Sequence, residues 1–248
     1  MKNKLLEHLS RLLLIDNDRC PVCKKILWKK EAYLCDQCLR ELPKNDARTC
    51  RRCGRPLSSD DADLCSACRS DAKRPIDRGW VWLVYGRAAE QIAAGFKFNY
   101  QKTLAYWAGA QMAKDLADCP WMAEVDALIP VPLHPNRLSE RGYNQSEQLA
   151  LGIVSGLMRE KGIAITLDAE SLRRVVDTPH QLGQTAAFRL KNVKNAFDVV
   201  DPERVYGKRI ALVDDVMTTG ATLDACAAAL KQAGAADVAV ITFAAVPS

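Results

Sequence analysis

The chain has 248 residues, 48% of them hydrophobic and 26% charged, with 35 Lys/Arg against 30 Asp/Glu and a formal charge of +5. That length and apolar content accommodate one ordinary α/β domain with a small appendage and exclude a disordered chain. No segment reaches the roughly 18 consecutive apolar residues of a membrane-spanning helix, and ten cysteines without an export signal point to a reducing compartment and metal ligation.

In chain order, Lys2 to Ile15 (KNKLLEHLSRLLLI) places leucines at 5, 6, 9, 12 and 13, which predicts an amphipathic helix within residues 1–18. Glu7, His8 and Arg11 interrupt it and no small-residue cleavage site follows, so it is not read as a signal peptide. Docking onto the rest of the chain is expected, with contact to a membrane surface as the alternative.

Cysteines define residues 19–72. Cys20/Cys23, Cys35/Cys38, Cys50/Cys53 and Cys65/Cys68 are four C-x2-C knuckles whose starts are 15 residues apart. Leu27 and Leu57, and Leu34 and Leu64, repeat at the same 30-residue offset, which reads as one ribbon duplicated. Sequential pairing closes the shorter loops at lower entropic cost. It assigns Cys20, Cys23, Cys35 and Cys38 to one Zn2+ and Cys50, Cys53, Cys65 and Cys68 to a second. Four thiolates per ion leave no open coordination position, so both zincs are expected to be structural; an iron-sulfur cluster or redox dithiols are the alternatives. The segment is too small for a core of its own, so each metal should supply about 10 kcal/mol or more of folding free energy. Gly54 suits the tight turn after Cys53, although Lys24 stands at the matching place, and Cys119 and Cys226 are read as small buried residues.

Residues 1–75 carry 17 Lys/Arg against 11 Asp/Glu, and residues 76–248 carry 18 against 19. Such asymmetry marks nucleic-acid contact, although two tetrathiolate zinc sites reduce the module to roughly +2. Lys24, Lys25, Lys29 and Lys30, with Arg48, Arg51, Arg52 and Arg55, are candidates for a phosphate-facing stripe.

Residues 76–248 alternate strand and helix patterns. Strands are predicted at Trp80–Tyr85, Val125–Val131, Arg209–Val213 and Val238–Ala245, with hairpin arms at Ser171–Val176 and Asn195–Val200. Helices are predicted at Ala88–Phe98, Thr103–Leu116 and Asn144–Glu160, and again after residue 222, where Gly234 supplies the C-terminal cap. This order implies a mainly parallel sheet with ligands at the strand C-terminal ends.

Two segments carry chemistry. After the strand at 125–131, a loop holding His134, Arg137, Arg141 and Gly142 precedes the helix whose first turn has Asn144, Gln145 and Ser146. Arg137 and Arg141 suit a pyrophosphate and Gly142 a close backbone approach, with a plain exposed turn as the alternative; His134 is read as structural. Further on, VDDVMTTGAT (residues 213–222) runs from a strand through two carboxylates into a Thr/Gly turn at a helix N-terminus. Thr218, Thr219, Gly220, Ala221 and Thr222 offer hydroxyls and backbone N–H groups to an anion. Asp214 and Asp215 repel phosphate and so face a ribose diol or Mg2+. Together these suit a ribose 5-phosphate.

VDDVMTTGAT resembles the fingerprint of the type I phosphoribosyltransferases. By that resemblance, Asp214 and Asp215 contact the ribose hydroxyls of phosphoribosyl pyrophosphate (PRPP), with Mg2+, and Thr218 to Thr222 hold its 5-phosphate. IPVPLHPNRLSERGYNQSEQLA (residues 129–150) resembles a segment of the ComF family, and so do Thr178, Gln181, Arg189, Asn192, Ala196 and Phe197. Lys97 and Phe98 are similar to that family's Lys-aromatic pair. Gln184 and Phe188 depart from the family pattern within Asp177–Leu190, the expected flap over the PRPP site, where His180 is read as a solvent-facing residue.

The resemblance implies a type I phosphoribosyltransferase-like α/β fold behind a double zinc ribbon. It also implies a role in natural competence or the use of external DNA, in the cytoplasm or at the inner face of the inner membrane. Single-stranded DNA and a DNA translocase or helicase are the implied partners. An active transferase moving ribose 5-phosphate to an amine or nucleobase, and a PRPP-sensing regulator, are the other readings. The chain stops at Ser248 just after its last strand, so no C-terminal segment is expected to frame a base, and no catalytic residue is legible.

Overall fold

A computed structural model describes residues 19–28, 32–46, 48–58, 63–98, 102–177 and 195–248. The expected helix at residues 2–15, Lys29 and Lys30, and the flap positions Thr178, His180, Gln181, Gln184, Phe188, Arg189 and Asn192 lie outside the described residues. Strands run β1 (Arg78–Val84), β2 (Ala127–Pro130), β3 (Thr166–Leu167), β4 (Leu172–Arg174), β5 (Phe197–Val199), β6 (Arg209–Met217) and β7 (Asp237–Ala245). Five of them form a parallel sheet in the order β1-β7-β6-β2-β3, while β4 and β5 pair antiparallel beside it.

Helices are α1 (Asp36–Arg40), α2 (Ser66–Ser70), α3 (Arg87–Phe98), α4 (Lys102–Leu116), α5 (Pro135–Arg141), α6 (Gln145–Lys161) and α7 (Ala221–Gln232). Alternation along β6 divides the core, because successive side chains point to opposite faces. Ala211 and Val213 join Phe96, Leu104, Leu149 and Phe243 beneath α3, α4 and α6. Ile210 and Leu212 join Leu223, Ala227 and Leu230 beneath α7. Phe243 takes Phe96 edge-on at 5.0 Å, a geometry favoured by the ring quadrupoles.

Helices α4 and α6 approach closely because glycines line their contact. A Cβ on Gly152 would stand 2.0 Å from Tyr106 O, and one on Gly109 2.1 Å from Leu149 O. This packing fixes α6, and thereby the position of its first turn at the end of β2.

The double ribbon straddles the β1 edge of the sheet. Cys20, Leu27, Leu34 and Leu42 belong to the core under α3, α4 and α6, and Tyr33 stacks on Trp107 at 5.6 Å. Cys50, Cys53, Cys65 and Cys68 belong to the core under α7. Between them the chain follows β1, with Val84 N–H donating to Pro43 O at 2.8 Å and Asn45 N–H to Trp82 O at 2.9 Å. The linker thus covers a strand edge that would otherwise offer open backbone groups.

Three expectations need correction. β6 continues through Asp214 and Asp215 to Met217, because β7 keeps offering partners as far as Ala245. The segment expected to be a loop after β2 forms α5: Pro135 starts it, His134 Nδ1 accepts from Asn136 N–H, and Gly142 ends it at φ 80°. The sheet also gains β3, whose two residues are too short for a periodic signal.

Candidate functional site

Both cysteine groups assemble as the spacing predicts, with the four sulfurs of each lying within 4.8 Å of one another. Tetrahedral coordination with Zn–S near 2.3 Å separates sulfurs by about 3.8 Å. Cys23 Sγ and Cys35 Sγ are 3.6 Å apart, and Cys53 Sγ and Cys65 Sγ 3.7 Å. Two four-cysteine sites of this shape fit structural zinc, with no position left for a substrate. Lys24 and Gly54 both adopt positive φ, 64° and 72°, and close the same bond back to Cys20 O and Cys50 O. Only Gly54 has no room for a side chain: a Cβ there would meet Gly79 O at 2.6 Å.

At the C-terminal end of β6, Asp214, Val216, Met217 and residues 218–223 line a small concavity that is open to solvent. Gly220 stands at the N-cap of α7 with φ 90°, and no side chain caps the helix there. Thr219 Oγ1 accepts from Ala221 N–H at 3.3 Å, which shapes the turn from within. The acidic pair divides its contacts. Asp214 lines the concavity and accepts from Ser146 Oγ at 3.1 Å, while Asp215 pairs with Lys97 Nζ at 2.7 Å. Burial, and then the neighbouring Asp215 charge, push the Asp214 carboxyl up to about 7.

The first turn of α6 locks this arrangement. Asn144 Oδ1 caps the helix by accepting from Ser146 N–H, and Asn144 Nδ2 donates to Val131 O at 3.0 Å. Gln145 Oε1 accepts from Arg141 Nη1, and Tyr143 OH donates to Phe96 O at the end of α3. Residues 141–146 therefore tie α5 and α6 to β2, β6 and α3.

Arg137 and Arg141 lie on α5, and Arg141 is half-buried, which lowers its pKa while the Asp215 charge raises it. Gly142 has nothing within 4 Å of a would-be Cβ, so its positive φ, and not the expected close backbone approach, is what requires glycine. Arg174 on β4 donates from Nε to Val176 O at 3.2 Å and lies over the Phe197 ring at 5.6 Å, and burial lowers its pKa. Of the supposed basic stripe, Lys24, Lys25, Arg48 and Arg51 are exposed, Arg52 is tied to Asp71 O and Ala72 O, and Arg55 is buried. Arg55 is thus no part of a surface stripe, because the second ribbon turns it inward onto the sheet domain.

Comparison with known proteins finds two domain families along the chain. The double zinc ribbon domain family matches residues 12–69, and the phosphoribosyl transferase domain family matches residues 157–248. The chain therefore joins a double zinc ribbon to a phosphoribosyltransferase domain. "Competence protein F" of Haemophilus influenzae is 36% identical over 120 residues, 46% of this chain and 48% of that protein. "DNA utilization protein YhgH" of Escherichia coli O157:H7 is 36% identical over 115 residues, 46% of this chain and 47% of that protein. "Competence protein ComFC" of Streptococcus pneumoniae is 32% identical over 110 residues, 44% of each chain. The chain spans about half the length of the curated relatives it matches. This domain content is what the ComF resemblance implied.

Proposed function

We propose that this protein binds PRPP with Mg2+ at the end of β6 and acts in the use of external DNA, contacting single-stranded DNA. The observation that carries the reading is the concavity itself, in which Asp214 and the Thr218–Thr222 turn face one space at a helix N-terminus. Thr218, Thr219, Gly220, Ala221 and Thr222 would take the 5-phosphate. Asp214, with Asp215 behind it, would take the ribose hydroxyls or the Mg2+ that bridges to them, and Arg137 and Arg141 the pyrophosphate. In this division of the chain, residues 19–72 are the ribbon module and residues 76–248 the PRPP-binding domain.

The DNA role draws on the relatives named for competence and DNA utilization. It also draws on the first ribbon, where Trp28 is 89% exposed and follows the exposed Lys24 and Lys25, a combination suited to stacking and phosphate contact. A DNA translocase or helicase and the inner face of the membrane remain the proposed partner and place; among the described residues no helix is long and apolar enough to cross a membrane.

A second reading, an active phosphoribosyltransferase, is favoured by Arg141, half-buried and within reach of the Asp215 charge, and by Arg137 on the same helix, which together would neutralise a departing pyrophosphate. Fluorescence anisotropy with labelled single-stranded DNA, paired with a pyrophosphate-release assay, separates the two. Salt-sensitive DNA binding weakened by Trp28→Ala, with no pyrophosphate release from PRPP plus amines or nucleobases, supports the first. Pyrophosphate release lost in Asp214→Ala with no DNA binding replaces it with the second.

A further inference from the structure

Beneath the phosphate-binding turn stand two arginines that come from the zinc-ribbon side of the chain. Arg55 follows Cys53 by two residues and is 6% exposed; Arg74 follows Cys68 by six and is 7% exposed. Arg74 Nη1 donates to Cys68 Sγ at 2.9 Å, and its Nε pairs with Asp224 Oδ1, in the first turn of α7, at 2.6 Å. Arg55 Nη1 donates to Val246 O at 3.0 Å, just past β7. The remaining guanidinium nitrogens are what matter. Arg74 Nη2 and Arg55 Nη2 are both buried and lack a hydrogen-bond partner among the described residues. Both converge on Gly220, where a Cβ would stand 2.3 Å from Arg74 Nη2 and 3.8 Å from Arg55 Nη2.

Burying a charged donor without a partner is costly, so two such donors at one spot call for an anion nearby. Asp224 and the Cys68 thiolate offset part of the charge, but both engage Arg74 through its other nitrogens. Neither arginine lines the concavity. They act through the low-dielectric interior on whatever the turn holds, and Arg74 also fixes the turn's position.

We propose that the second zinc ribbon is part of the anion site: Arg55 and Arg74 are positioning residues that raise the affinity of the Thr218–Thr222 turn for a phosphate monoester. Their hold on the turn runs through the Cys50–Cys53–Cys65–Cys68 centre. This rests on reading that turn as the phosphate loop. Gly220 is then glycine for two reasons, its positive φ and the space its missing Cβ leaves for the Arg74 guanidinium. The described residues of the first ribbon pack in the core on the other face of the sheet.

The test titrates ribose 5-phosphate and PRPP into the full zinc-loaded chain and records melting temperature and zinc content alongside. Arg55→Met should keep both zincs and remain folded, yet bind ribose 5-phosphate about tenfold more weakly. Arg55→Lys should recover most of that affinity. Arg74→Gln should weaken binding similarly, whereas Cys20→Ser in the first ribbon should leave it within about twofold. If Arg55→Met and Arg74→Gln bind ribose 5-phosphate as wild type does, the inference is overturned and the arginines are structural alone. If wild type binds neither ribose 5-phosphate nor PRPP, the phosphate-loop reading itself fails and takes the inference with it.

Discussion

Lys97 Nζ lies 2.7 Å from Asp215 Oδ2, so the C-terminal turn of α3 supplies the counter-ion for one of two adjacent carboxylates on β6. Asp215 is almost wholly buried and Lys97 is partly exposed. Removing the lysine leaves a carboxylate inside the protein beside another. Lys97→Met should therefore lower stability by about 1–3 kcal/mol, read from urea midpoints at pH 7.5. An unchanged midpoint at that pH would mean the pair carries no net stabilisation.

Asp214 gives a pH dependence with a definite sign. Its folded pKa of about 7 stands above the ordinary aspartate value of 3.8, so between those values the folded chain binds more protons than the unfolded one. Stability from this group is full below pH 4 and falls as pH rises to about 7. Asp214→Asn should flatten this fall, as measured by urea unfolding at intervals from pH 5 to 8. Binding of Mg2+ with PRPP should in turn strengthen as pH rises through that range and release a proton, which calorimetry in buffers of different ionisation enthalpy detects.

The zinc centres differ in burial, and chelation should show it. All four cysteines of the second group are buried, whereas Cys23 is exposed. Metal analysis should find two zincs per chain, and a chelator should strip them in two phases, the first ribbon before the second. Cys53→Ser should damage the whole domain more than Cys23→Ser, because Cys53 shares a core with Val81, Leu212 and Val240.

Helix contact through glycine makes another prediction. Gly152→Ala places a methyl group 2.0 Å from Tyr106 O on α4, which cannot move without displacing the helix. The loss should be about 3 kcal/mol or more, despite the higher helix propensity of alanine. Gly86→Ala, with nothing within 4 Å of its Cβ, is the control and should change the midpoint little.

Much of this architecture is readable in the chain because periodicity reports it. The run from Ile210 to Val213 is apolar throughout because β6 is buried on both faces, and the helical spacing from Leu104 to Leu116 marks the buried side of α4. Helix α5 was hidden because none of its residues is buried, so HPNRLSERG has no apolar period to betray it. The cysteine pairs and the 213–222 string were legible because their chemistry is local in sequence. The places of Arg55 and Arg74 were not, because they depend on how the second ribbon folds back onto α7, a tertiary fact that no local spacing encodes.

If Asp214, Asp215 and the 218–222 turn form one sugar-phosphate site, isothermal calorimetry of PRPP with Mg2+ against wild type and the Asp214→Ala/Asp215→Ala variant should reveal it. Saturable, Mg2+-dependent binding at one site per chain is expected, weakened at least about a hundredfold in the variant. Absence of PRPP binding by the zinc-loaded wild type, or equal binding by both proteins, would contradict it.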